Sequence, residues 1–357
     1  MSGGVPGEPS ERFLRACRRL PVDQTPVWFM RQAGRYMAEY RELRQKYSLL
    51  EICRQPELAA QVTLQPIEHL GVDAAILFAD ILLPLIPMGA ELEFVAGRGP
   101  VIANPVRSKA DINKLRPVDV RTQLDYVMEA LRIVRPALPG GVALIGFAGA
   151  PFTVGSYLIE GGPSRKFERT KSLMYADPQS WHALMERLAE IVSDYLVAQI
   201  EAGAQAVQIF DSWVGALSPA DYVEYVQPYS EVIFKRIRQT GAPAIHFGTG
   251  TSTLLPLMFE AGGEVIGVDW RIPLDRAWEL LGAEAGLQGN LDPTALLGPR
   301  TVLKRQVERV LREAGGRPGH IFNLGHGVLP STPIENVKWV VELVQSSTAP
   351  GQRLGAQ

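Results

Sequence analysis

Short apolar runs alternate along the chain with longer stretches whose apolar residues recur every three to four positions. The runs 27–30, 74–78, 143–147, 206–210, 244–247, 265–268, 286–288 and 321–323 are nearly continuous in apolar residues, as strands buried on both faces require. Segment 178–202 has the other period: Leu184, Leu188, Ile191, Tyr195, Leu196 and Ile200 share one helical face. It opens with Asp177-Pro178, a capping carboxylate followed by proline at the first helical position. Ser218-Pro219, Asp292-Pro293 and Thr332-Pro333 repeat that start signal, and Gly203 and Gly241 read as helix stops. Strands alternating with helices through right-handed crossovers predict an α/β fold. About eight such units favour a closed (β/α)8 TIM-type barrel over an open doubly wound sheet. The run 286–288 is the weakest of the strands. Segments 91–95 and 101–103, around Gly97-Arg98-Gly99, interrupt the alternation and read as a small inserted hairpin.

Length and composition fit this picture. The 357 residues are 46% hydrophobic and 21% charged, ordinary for a globular chain. The expected organisation is a single barrel domain over 11–345 with an N-terminal helical extension, between flexible tails at 1–10 and 346–357. The formal net charge of -2 gives no global field to gather nucleic acid or an anionic membrane. Local cations must therefore capture any anionic ligand. The two cysteines, Cys17 and Cys53, form no CxxC pair and no disulfide framework, which suits a reducing compartment. The most apolar stretch, 74–88, is broken by Asp80, Pro84 and Pro87 and is too short to cross a bilayer. The first ten residues lack the apolar core of a signal peptide. The expectation is a soluble cytoplasmic protein.

In such a barrel, ligands meet the C-terminal ends of the strands, and the unusual residues of this chain fall there. The first run exits into Arg31-Gln32-Ala33-Gly34-Arg35. Arginines at a strand exit want anionic partners, and Gly34 lets the backbone between them bend. They form either a clamp for carboxylates or phosphates, or ion pairs with Glu39 or Glu42 of the next helix. Asp80 stands in an apolar run, where an acid is costly unless partnered. It is either a functional carboxylate or a cap for the turn from Ile81 onward.

Later strands exit into Gly149-Ala150-Pro151 with Tyr157 beyond, Asp211-Ser212, Gly248, Asp269-Trp270, Gly289-Asn290 and Gly325-His326-Gly327. Phe78, Phe147, Phe210 and Phe247 end four of the runs, giving apolar walls with a few polar groups, the usual make-up of a small-molecule site. Tyr157 equally suits core packing, Ser212 a turn cap, and His326 a satisfied loop histidine. The glycines of 146–151 are only a weak phosphate-binding signal, because the dinucleotide spacing is incomplete. No metal-ligand spacing of His and Cys and no Gly-x-Ser-x-Gly elbow appears.

Five separated motifs, in order, resemble the uroporphyrinogen decarboxylase family. They are Pro26-Val27-Trp28-Phe29-Met30-Arg31-Gln32-Ala33-Gly34-Arg35-Tyr36, Phe78-Ala79-Asp80-Ile81-Leu82, Gly146-Phe147-Ala148-Gly149-Ala150-Pro151-Phe152-Thr153, Leu287-Gln288-Gly289-Asn290-Leu291-Asp292-Pro293 and Asn323-Leu324-Gly325-His326-Gly327. The resemblance spans residues 13–343. It implies a (β/α)8 barrel acting as a homodimer without cofactor or metal. It also implies that the substrate is uroporphyrinogen III, whose four acetate side chains become methyls with release of carbon dioxide. The implied catalytic residues are Asp80, Arg31 and Tyr157. The implied substrate contacts are Arg31, Gln32, Ala33, Gly34, Arg35, Asp80, Phe147, Tyr157, Phe210, Ser212 and His326, with Arg44 as a further cationic position. Ala79 stands where many members have serine, and Trp213-Val214 departs from a histidine-containing version after Ser212. A methyltransferase on the same barrel, acting on cobalamin- or thiol-bound methyl groups, is the alternative. It needs zinc ligands that this chain does not offer at its strand ends. A non-catalytic tetrapyrrole binder would want the arginines but not Asp80.

Overall fold

The computed structural model describes residues 11–349. The tail expected at 1–10 and positions 350–357 of the second tail lie outside them. The last helix, Ile334–Thr348, takes in positions 346–348, which the sequence reading had given to the tail.

After the helices that precede it, the chain forms β1 (Ala74–Ile76) and then the antiparallel hairpin β2 (Leu92–Val95) and β3 (Gly99–Ile102). It returns as β4 (Ala143–Gly149), β5 (Ala206–Asp211), β6 (Ala244–Gly248), β7 (Val265–Gly267), β8 (Gly286–Leu291) and β9 (His320–Leu324). Seven strands pair in parallel in the order β1-β4-β5-β6-β7-β8-β9, with helices in the crossovers. The run read as weakest, 286–288, is part of β8, six residues long and buried throughout. Its glycines and polar side chains hide its strand character from a propensity reading.

The eighth stave is the segment 26–30, between β9 and the start of β1. It is not a regular strand: Val27 makes a single bridge to Phe322. Backbone bonds still tie it to both sides, from Phe322 N–H to the Pro26 carbonyl at 2.9 Å and from Asp73 N–H to the Val27 carbonyl at 2.8 Å. The irregularity has a local cause. Val27, Phe29 and Met30 give their N–H groups to Asp73 Oδ2 at 2.8 Å, Gln32 Oε1 at 3.0 Å and Asn323 Oδ1 at 3.0 Å. Side-chain acceptors replace the ladder, so the donors stay satisfied without a strand partner.

Three of the proline start signals carry a cap. Asp177 accepts from Ser180 N–H, Ser218 accepts from Asp221 N–H, and Asp292 caps a 3-10 turn rather than a long helix. Thr332 caps nothing; the last helix starts after Pro333 without a side-chain cap. Inside the barrel, Trp28 Nε1 donates to Gln288 Oε1 at 3.0 Å and Gln288 Nε2 donates to Gln208 Oε1 at 2.9 Å. This buried polar chain links the irregular stave to β8 and β5.

Candidate active site

A basin opens at the C-terminal ends of the strands and encloses about 1280 Å³, part of it open to solvent. Arg31, Ala33, Gly34 and Arg35 line it from the first stave, and Asp80 from the turn after β1. Phe147, Tyr157, Phe210, Ser212 and His326 complete the expected set. Phe210 is the hub of the aromatic wall, edge-on to Phe147 at 5.5 Å and to Phe247 at 5.8 Å.

One expected residue does not face the basin. Gln32 is buried, accepts from Phe29 N–H at 3.0 Å and donates to the Ala74 carbonyl at 2.9 Å. The turn at Met30-Arg31 directs it into the wall, where it joins the irregular stave to β1. Arg44 is likewise spent locally, donating to the Tyr47 carbonyl at 2.7 Å.

Arg31 is held in the left-handed region, at φ 59°, a conformation that costs a non-glycine residue about 1–3 kcal/mol. Its stem lies on Gly327, where an added Cβ would come within 2.4 Å of Arg31 Cδ. The glycine beside His326 is therefore the seat of the Arg31 stem. Glu39, the alternative partner for the arginines, pairs with His69 at 3.1 Å instead.

Asp80 caps its turn and also lines the basin. Leu82 N–H donates to Asp80 Oδ1 at 2.9 Å, so one oxygen caps the turn. The other oxygen has no partner among the described hydrogen bonds, and the residue lines the basin. Its side chain is half-accessible from the cavity yet deep in the fold, and loss of water pushes its pKa up. The Leu82 N–H, Arg31 and Arg35 pull the other way. Neither arginine pairs directly with it among the described ion pairs, so the three charges act across the space a ligand would fill. Gly149 makes room for this turn: a Cβ there would meet Val154 at 2.4 Å and Ile81 Cβ at 3.0 Å. Gly146 similarly admits Gln199, whose amide clamps the backbone N–H and C=O of Phe147 at 2.8 and 2.9 Å. The glycines of that motif serve close packing, not a phosphate.

His326 is kept neutral. Burial, helped by Arg31, lowers its pKa to about 4, against an opposing effect of Asp269. Gly327 N–H donates to Nδ1 at 2.6 Å, which leaves the ring proton on Nε2. Burial pushes the Tyr157 phenol up to about 12, with Asp80 adding to the rise. Other strand-end residues support the rim. Asp269 accepts from Gly250 N–H and pairs with Arg271, and Asn290 donates to the carbonyls of Asp269 and Ile272.

Phe94, Gly99 and Pro100 of the hairpin, and Tyr40 and Leu49 of the helices after the first stave, also line the basin and went unread as site residues. Tyr40 packs on Phe78 at 5.3 Å. Only the hairpin's interruption of the alternation marked any of them in the sequence. Cys17 and Cys53 are buried, and no group of three or more His, Cys, Asp or Glu side chains converges as a metal site among the described residues.

Fold and site together define an α/β-barrel protein whose mouth is an apolar basin carrying two arginines and a carboxylate. The family model described as "Uroporphyrinogen decarboxylase (URO-D)" matches residues 8–347. A uroporphyrinogen decarboxylase of Sorangium cellulosum is 61% identical over 336 residues, 94% of this chain and 96% of the relative. One of Thermus thermophilus is 56% identical over 340 residues, 95% of this chain and 99% of the relative. The chain belongs to the uroporphyrinogen decarboxylase family. Among solved structures, a methyltransferase from Methanosarcina mazei shares the fold, with TM-score 0.79, 22% identity and coverage of 95% and 98%.

Proposed function

We propose that this protein decarboxylates the four acetate side chains of uroporphyrinogen III to methyls, yielding coproporphyrinogen III and carbon dioxide. The observation that carries the reading is Asp80: an acid with a free oxygen at the floor of an apolar basin, facing Arg31 and Arg35 without pairing to them. Family membership over nearly the whole chain favours this activity over methyl transfer.

Arginines at the rim bind peripheral carboxylates, each bidentate contact contributing roughly 1.5–3 kcal/mol when partly desolvated. His326, neutral with its proton on Nε2, donates a hydrogen bond to the same groups. Such contacts position the macrocycle, but the chemistry needs a sink for the electrons left by carbon dioxide. The pyrrole supplies it. A proton adds to the ring carbon beside the one bearing the acetate and makes the ring cationic. The bond to the carboxylate carbon breaks, its electron pair forms an exocyclic methylene, and carbon dioxide leaves. The methylene carbon then takes a proton and the ring carbon releases one, so one proton replaces one carbon dioxide overall. Asp80 stabilises the cation through the pyrrole N–H groups, an effect enlarged where water is excluded. Tyr157 orients the reacting acetate or supplies the proton.

This reading includes a homodimer working in the cytoplasm. No helix among the described residues is long and apolar enough to cross a membrane. The test is anaerobic incubation with freshly reduced uroporphyrinogen III, followed by product separation and carbon dioxide measurement. Formation of seven- to four-carboxyl porphyrinogens is expected, and their absence overturns the reading. Light scattering of the same sample reports the oligomeric state.

A further inference from the structure

Ser212 lines the basin, but Trp213, the next residue, stands behind the wall. Its indole stacks on the Tyr157 ring, with centroids 3.8 Å apart and planes at 27°. Phe167 meets the indole edge-on at 5.2 Å. The loop that carries Trp213 is pinned at three points. Trp213 N–H donates to Thr153 Oγ1 at 3.3 Å, Thr249 Oγ1 to the Ser212 carbonyl at 2.6 Å, and Lys171 Nζ to the Ala216 carbonyl at 2.5 Å. The loop also packs backbone to backbone, since a Cβ on Gly215 would lie 2.2 Å from the Thr249 carbonyl oxygen.

Thr153 and Tyr157 are one turn apart on the helix Pro151–Glu160 and so share a face. The loop therefore grips that face twice, by its backbone at Thr153 and by its indole at Tyr157. Asp211, buried at the end of β5, fixes the first grip by accepting the Thr153 hydroxyl at 2.8 Å. A phenol at the edge of an open basin is otherwise free to change its side-chain rotamer. The phenol in question feels Asp80 and Arg31, so its direction matters to the charges of the site.

We propose that Trp213 is a positioning residue for Tyr157: its indole, anchored through Thr153 and Asp211, holds the phenol at the angle at which it meets the reacting acetate. The proposal rests on the decarboxylase reading. The test measures kcat and KM for W213A, W213L and W213F, each alone and on the Y157F background, with a thermal midpoint for every variant. W213L keeps apolar volume and carries the test where W213A does not fold. Misplacing a catalytic group by a fraction of an ångström lowers kcat, so W213L should lose roughly tenfold in kcat with KM within about twofold. W213F, which keeps a planar ring, should lose less than about threefold. On the Y157F background, W213L should cost less than about twofold more, because the group it positions is gone. Equal losses on both backgrounds, a loss in KM alone, or no loss overturn the proposal. Failure of the decarboxylase reading shows separately, as wild-type protein that releases no carbon dioxide from uroporphyrinogen III.

Discussion

Asp73 and Asp80 flank the same short strand, β1, and burial pushes the pKa of both upward. Their surroundings differ. Asp73, at the bottom of the barrel, spends both oxygens on the protein: Arg12 Nη1 lies 2.5 Å from one, and Val27 N–H donates to the other at 2.8 Å. Arg12 also binds Asp23, so the seam between the first stave and β1 is sealed by a saturated charge network. Asp80, at the top, spends one oxygen on its own turn and leaves the other to the basin. The two acids flank the same strand and burial acts on both in the same direction, but one is complete and the other is not. Incompleteness, rather than burial, is what singles out Asp80 as the carboxylate open to a ligand.

The largest effect should come from breaking the complete one. Asp73→Ala leaves Arg12 short of a partner and orphans the Val27 N–H, and should cost about 3–5 kcal/mol of stability in chemical denaturation. Turnover per folded molecule should stay within about twofold of wild type. A large kcat loss in fully folded protein would erase the contrast. Asp80→Asn is the mirror experiment: a kcat loss equivalent to about 2.7–4 kcal/mol, with the denaturation midpoint little changed. Near-normal turnover in that variant would remove Asp80 from the mechanism.

Asp211 lies between the two cases. Thr153 binds one oxygen, the other is buried without a partner, and burial raises its pKa to about 7. A raised carboxyl keeps its proton in the fold after the unfolded chain has lost it. The stability it confers is complete below about pH 4, the unfolded value, and is lost as pH rises through about 7. Asp211→Asn removes this titration, so it should gain on the order of 4 kcal/mol over wild type at pH 8 relative to pH 4. Parallel stability curves for the two proteins would show that the carboxyl does not titrate in this range. The smallest effect is expected at the rim. Arg35→Lys loses the planar fork and should raise KM by an amount equivalent to roughly 1 kcal/mol, with kcat less affected. Unchanged affinity in a direct substrate titration would count against the clamp.

Much of this was legible in the chain because buried parallel strands leave long apolar runs, and the residues that break those runs stand out. Arg31, Asp80 and His326 were visible for that reason. The placing of the Gln32 side chain in the wall was not legible, because the motif does not show which way each side chain turns. The stave itself read as a strand, since its apolar pattern is strand-like while its N–H groups bond to side chains far away in sequence. Tyr40, Leu49 and Phe94 were missed because apolar residues on helices and a hairpin carry no sign of the cavity they face. Trp213 stood out only as an unusual neighbour of Ser212, and its stacking on Tyr157 depends on a loop meeting a helix far away in sequence.

The seat of Arg31 on Gly327 also has a temporal side. The ribosome makes the Arg31 guanidinium long before the Gly327 cradle that receives it. Contacts so distant along the chain form late. A nascent or truncated polypeptide lacking its final strand therefore carries every charge of the motif and still has nowhere to rest the first of them. The cationic corner is complete only with the closing of the ring.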